Sequence, residues 1–142
     1  MNKDKQTILY LCTGNSCRSL MAEAWTRHLK SHVLIPWSAG TKPGAVNPMA
    51  VSVMEEAGVD MSFSVSKHVD TMMGMSFDFV VTVCDNANEN CPYFPGKTRR
   101  IHKSFDDPPA LARGLDNTAA LDTYRRVRDE IRSFVEGMPE NL

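Results

Sequence analysis

The sequence has no apolar run approaching the roughly 20 residues that a membrane-spanning helix needs. Its start, Met1-Asn2-Lys3-Asp4-Lys5-Gln6, lacks the apolar stretch of a secretory leader. Together these absences make the cytoplasm the expected compartment and exclude a membrane role. Net charge of one sign is also missing. The formal balance is −1, so nothing draws the chain in bulk to nucleic acid. The pairs Arg99-Arg100 and Arg125-Arg126 read as solvated surface. No internal repeat, linker or low-complexity tract divides the chain. With 142 residues, 42% hydrophobic and 23% charged, it fits one domain spanning 1–142. A metal-ligand set is lacking as well. His28 and His32 share a helix spacing, but no Asp, Glu or Cys nearby completes a site, so no metal is expected.

What is present is four cysteines. In a reducing compartment they point to chemistry rather than permanent staples. The first opens Cys12-Thr13-Gly14-Asn15-Ser16-Cys17-Arg18-Ser19, which follows the apolar run Ile8-Leu9-Tyr10-Leu11 and leads into Met21-Ala22-Glu23-Ala24-Trp25. A strand therefore feeds a tight loop, and the loop feeds a helix N-terminus. N–H groups and the helix dipole there favour an anion. Gly14-Asn15 suits a turn that needs positive φ. Arg18 closes the ring with a planar, bidentate donor for a tetrahedral oxyanion. A thiol at Cys12 in that field is expected to ionise near neutral pH and act as a nucleophile. Cys17 lies inside the loop and is expected to pack beneath it, with a Cys12–Cys17 disulfide as an off-path oxidation state.

Alternating strand and helix patterns predict a three-layer α/β sandwich around a mostly parallel, four-stranded sheet. Strands are expected at 7–11, 33–37, 77–83 and 100–102. Helices are expected at 19–31, 49–57 and, briefly, 67–75, with a long amphipathic one through Leu121, Tyr124, Val127, Ile131 and Val135. Asn47-Pro48 reads as a helix start and Gly58 as a stop. Residues 85–96, with three Asn, two Pro and a Gly, read as a mobile loop. The nine Met residues read as adaptable packing.

Cys84 ends the strongest strand, and Cys91 follows it in a polar loop that offers nothing to bury against. Parallel strands share an orientation, so three thiols are expected near one oxyanion. One thiol suffices for phosphatase chemistry, whereas three suggest electron transfer by disulfide exchange. Asp107, before Pro108, is either a turn residue or a general acid, and the residues alone leave both open.

On CTGNSCRS at 12–19, MAE at 21–23, SAG at 38–40, NP at 47–48, VVTVC at 80–84 with Cys91, FDDP at 105–108 and RVRDEI at 126–131, the chain resembles the thioredoxin-coupled arsenate reductases. These have the low-molecular-weight tyrosine phosphatase fold. The resemblance implies that Cys12 attacks arsenate, held by loop residues Thr13 to Ser19, and that Asp107 is the acid. It implies that Cys84 attacks Cys12 with release of arsenite, and that Cys91 attacks Cys84. Reduced thioredoxin then removes the Cys84–Cys91 disulfide, so 84–97 is the redox-active segment. Asn15 matches a loop-shaping residue, with Ser38 expected as a hydrogen-bond partner in its network. No tightly bound cofactor is implied, and the protein is expected to be a monomer. Some such reductases hold potassium beside the loop through a Thr and an Asp. Val65 and Lys67 stand at those positions here, which puts potassium in doubt, although Asn15, Glu23 and Ser38 remain. Lys67 could replace the ion.

Two rival readings stand beside this one. A low-molecular-weight tyrosine phosphatase would share the loop, but no Tyr follows Asp107-Pro108 to bind a substrate ring. A zinc module using the four cysteines would place Arg18 beside a cation, which is unfavourable.

Overall fold

The structure is a computed structural model describing residues 5–89, 91, 92, 94 and 96–142, with the side chains of Asn86 and Asn88 left out. Four strands, β1 (Gln6–Cys12), β2 (Leu34–Gly40), β3 (Phe79–Thr82) and β4 (Arg99–His102), form one sheet in the order β2-β1-β3-β4. Every pairing is parallel. Helices α1 (Arg18–Lys30), α2 (Pro48–Glu56), α3 (Asp85–Glu89), α4 (Pro108–Ala112) and α5 (Asn117–Glu136) complete the fold. None of the described helices is long and apolar enough to cross a membrane.

The two central strands are the most apolar because both their faces are covered. Ile8 to Cys12 and all of β3 are buried. The edge strands are half exposed, and β2 tolerates Pro36 because an edge needs no donor on its outer side. Helix α5 buries Ala120, Tyr124, Val127, Ile131 and Val135 at helical spacing. Each full apolar burial of this kind is worth roughly 1.5–3 kcal/mol. Asn47 caps α2 as expected, its Oδ1 accepting from Met49 N at 2.9 Å and Ala50 N at 3.3 Å. Gly58 ends that helix at φ +83°.

The structure departs from the sequence-based expectations in four places. The strand expected at 77–83 pairs only over Phe79–Thr82. The segment 67–75 supplies a single 3₁₀ turn, Val69–Met72. The segment 85–96 begins as helix α3 rather than as loop, while Asn90, Tyr93 and Pro95 lie outside the described residues. Helix α4, carrying two prolines in its first turn, was not anticipated.

Candidate active site

Strand β1 ends at Cys12, and α1 begins at Arg18, so the chain between them must turn sharply at the carboxyl edge of the sheet. Asn15 makes that turn at φ 45°. It is fully buried and held from two sides. Its Nδ2 donates to Ser19 Oγ at 2.8 Å, and its Oδ1 accepts from Lys67 N at 2.8 Å. Neighbouring chain ties the loop down further. Gly44 N donates to Gly14 O, Asn47 N to Ser16 O, both at 2.9 Å, and Ser66 Oγ to Gly14 O at 3.1 Å. The β1–β2 register sets Gly40 beside Cys12. A Cβ at Gly40 would meet Thr13 O at 2.5 Å and Asn15 N at 2.9 Å, so only glycine lets the loop approach the strand this closely.

Two groups converge on the Cys12 sulfur. Asn15 N–H donates to it at 3.3 Å, and Ser19 Oγ stands 2.8 Å away. Both are able to donate to a thiolate. A cavity of about 200 Å³ opens above the sulfur, walled by Thr13, Gly14, Ser16 and Arg18, with Asp107 at the rim. Arg18 is largely buried and reaches across this cavity. Its Nη1 donates to Phe105 O at 2.9 Å, and its Nη2 lies 3.5 Å from Asp107 Oδ1. Asp106 points elsewhere, 3.1 Å from Arg126 on α5. Of the two adjacent carboxylates, only Asp107 faces the cavity.

Cys17 lines the floor as expected. Burial pushes its thiol up to about 12, outweighing the opposing pull of Arg18. It therefore stays protonated and inert. In reduced protein between about pH 6 and 9, iodoacetamide should modify Cys12 in preference to Cys17, and phosphate should protect Cys12. Peptide mapping of the alkylated protein checks this. Rapid labelling of Cys17 would contradict it.

The expected cluster of three thiols holds for two. Cys84, just past β3, has its sulfur 3.4 Å from Thr13 Oγ1, and Ala87 N–H donates to it at 3.4 Å. Cys91 lies apart, in its own cavity of about 210 Å³ with Phe94, Thr98 and Arg100. Arg100 pairs with Val80 in mid-sheet, away from the carboxyl ends where Cys12 and Cys84 sit. The Cys91 thiol donates to Pro92 O at 3.5 Å. Burial pushes it up and Arg100 opposes that. The polar loop does bury Cys91 in part, against expectation.

Behind the loop, Ser38 Oγ donates to Glu23 Oε1 at 2.5 Å. Glu23 Oε2 accepts from Arg27 Nη2 at 2.9 Å. Lys67 carries its ammonium to 2.6 Å from Val65 O and 4.0 Å from Glu23 Oε1. No cluster of three metal-binding side chains occurs among the described residues. Sequence reasoning missed the tie between Asn47 and Tyr124. Asn47 Nδ2 donates to Tyr124 OH at 2.9 Å, which links the loop to α5. The helix-start signal at Asn47-Pro48 was visible, but its long-range partner was not.

The sequence matches the low molecular weight phosphotyrosine protein phosphatase family over residues 7–142. It is 42% identical to an arsenate reductase of Halalkalibacterium halodurans, over 96% of this chain and 97% of that protein. It is 38% identical to arsenate reductase 2 of Staphylococcus saprophyticus, over 97% of this chain and 99% of that one. The fold is similar to that of an arsenate reductase solved in its oxidised state. The TM-score is 0.74 at 26% identity, with 94% and 95% of the two chains covered.

Proposed function

The chain belongs to the low molecular weight phosphotyrosine protein phosphatase family, and within it we propose that this protein reduces arsenate to arsenite. The observation that carries this reading is the second thiol at the cradle. Cys84 stands against Thr13 of the oxyanion loop, and phosphoryl transfer has no use for it there. The protein works as a cytoplasmic monomer with reduced thioredoxin as electron donor.

Arsenate enters the cavity and its oxygens take up the loop N–H groups and the Arg18 guanidinium. Cys12 attacks arsenic. Asp107 gives its proton to an arsenate hydroxyl, the As–O bond breaks with loss of water, and a Cys12–arsenic(V) bond takes its place. Arg18 Nη2 lies 3.5 Å from Asp107 Oδ1, so a bound oxyanion competes with that carboxyl for the guanidinium. Cys84 then attacks the Cys12 sulfur. The S–S bond forms, the S–As bond breaks, and its electron pair stays on arsenic, which leaves as arsenite. Cys91 attacks Cys84 and expels the Cys12 thiolate. Thioredoxin reduces the resulting Cys84–Cys91 disulfide.

Closing that last bond is expected to unwind α3, which occupies Asp85–Glu89 between the two cysteines. A continuous helix would separate the Cα atoms of Cys84 and Cys91 by about 10.5 Å along its axis. A disulfide needs them within about 7 Å. The test of the whole reading is arsenate-dependent NADPH consumption with thioredoxin and thioredoxin reductase, set against glutathione with glutaredoxin. Turnover in the first system alone is expected. No arsenate dependence in either would overturn it.

The residues behind the loop do not fit a bound potassium ion. Val65 offers no side-chain oxygen, and its carbonyl is taken by the Lys67 ammonium. Lys67 supplies the positive charge beside Glu23 itself. Exchange of K⁺ for Na⁺ at constant ionic strength should leave turnover unchanged. Lys67→Ala should raise the arsenate KM by about fivefold at most, the scale of a partly screened ion pair. Steady-state kinetics in the two salts checks both. A large, saturable activation of the unaltered protein by K⁺ would contradict the assignment.

A further inference from the structure

His102, the last residue of β4, has no part in the steps above, yet its ring is fully engaged. Nδ1 lies 2.7 Å from Thr82 Oγ1, and Nε2 lies 2.9 Å from Asp85 Oδ1. Thr82 ends β3 and Asp85 begins α3. The imidazole therefore bridges the residues on both sides of Cys84, across the turn that carries that thiol to Thr13. We propose that His102 is a positioning residue of the redox segment: it clasps the chain about Cys84 in the reduced protein and must let go of Asp85 before Cys84 can join Cys91.

Helix α3 is too short to persist on its own, and three of the seven residues 84–90 are Asn, a poor helix former. Something outside the segment must hold it. Among the described residues, His102 bonds Asp85 from β4 and the fully buried Ala87 packs into the core, while within the segment the Ala87 N–H bonds the Cys84 sulfur. The bond from the Ala87 N–H weakens when that sulfur enters a disulfide, a poorer acceptor in a new position. The His102–Asp85 bond then remains and, together with the buried Ala87, resists unwinding. Asp85 is well exposed, so once released its carboxylate is solvated by water at little cost. The clasp does not require a charged ring. A neutral imidazole protonated at Nε2 accepts from Thr82 and donates to Asp85.

The two halves of the relay should therefore respond with opposite sign, and this part of the inference rests on the relay proposed above. In His102→Ala, formation of the Cys12–Cys84 disulfide should slow, because Cys84 is no longer held against the cradle. Closure of Cys84–Cys91 should quicken, because one contact that resists unwinding is gone. Changes of about tenfold are expected for each, the scale of one hydrogen bond to a charged partner. His102→Gln, which can still donate to Asp85, should restore most of both rates. A merely structural lesion would slow both steps together.

The experiment uses the full chain and two readouts. Hydrogen exchange on the reduced protein reports the clasp without any redox chemistry. Residues 85–89 should exchange about tenfold faster in His102→Ala and in Asp85→Ala than in the unaltered chain or in Asp85→Asn. Equal exchange in all four proteins would overturn the clasp, whatever the relay does. Quenched single turnover with arsenate, followed by disulfide mapping, then gives the two rates. Parallel slowing of both steps would reduce His102 to a structural residue and overturn the proposal. If no Cys12–Cys84 species forms in any of the proteins, the relay is wrong, and the exchange result alone decides the clasp.

Discussion

Cys91→Ser is expected to release about one arsenite per chain and then stop, with Cys12 and Cys84 joined. The variant keeps the cradle, Arg18, Asp107 and Cys84, so the first two steps are untouched. It lacks the thiolate that would free Cys12, and Cys12 cannot bind a second arsenate while in a disulfide. Cys91 sits in its own cavity beside Arg100, so its removal disturbs nothing at the oxyanion loop. Cys12→Ser should be more severe, with no arsenite at all. A hydroxyl with a far higher pKa than a thiol does not ionise in this site, and oxygen cannot enter the exchange. Arsenite measured in a stoichiometric mixture, with mass mapping of the disulfide, separates the two outcomes. Sustained thioredoxin-coupled turnover by Cys91→Ser would end the three-thiol account.

Asp107→Asn should slow formation of the arsenate adduct by roughly 10²–10⁴-fold, the range associated with loss of a general acid. Asp106→Asn should change it little. The two carboxylates are neighbours in sequence but opposed in space. Asp107 lies across the cavity from Cys12, within 3.5 Å of Arg18, whereas Asp106 pairs with Arg126 on the outer face of α5. An exposed pair of that kind is worth about 0–1 kcal/mol and does not reach the chemistry. Single-turnover reduction with excess enzyme isolates this step from thioredoxin. A severe defect in Asp106→Asn beside a near-normal Asp107→Asn would reverse the assignment.

The parts of this molecule that were legible beforehand share a physical origin. The Cys12 loop, β1, β3, the Asn47 cap and α5 are each specified by residues close together in the chain. Apolar runs make the buried strands, a 3.6-residue period makes α5, and an Asn beside a Pro makes the cap. What escaped is held by contacts distant in sequence. Helix α3 is Asn-rich and local preference argues against it, but His102 and the Cys84 sulfur hold its first turn. The position of Cys91 depends on Thr98 and Arg100, which only the fold of β4 brings near. Ser38 was expected in the network about Asn15, and its direct partner, Glu23, is a choice decided by which polar group α1 carries past β2. Lys67 shows the converse. Its position in the sequence suggested a replacement charge, and its ammonium stands by Glu23.

The central claim is that this cradle performs a two-electron reduction by passing a disulfide away from the nucleophile. The most direct measurement mixes fully reduced protein with excess arsenate, without thioredoxin, and counts arsenite and disulfides at the end. The account predicts one arsenite per chain, one Cys84–Cys91 disulfide, and free thiols at Cys12 and Cys17. Arsenite formed without that disulfide, or a Cys12–Cys17 disulfide as the sole product, would contradict it.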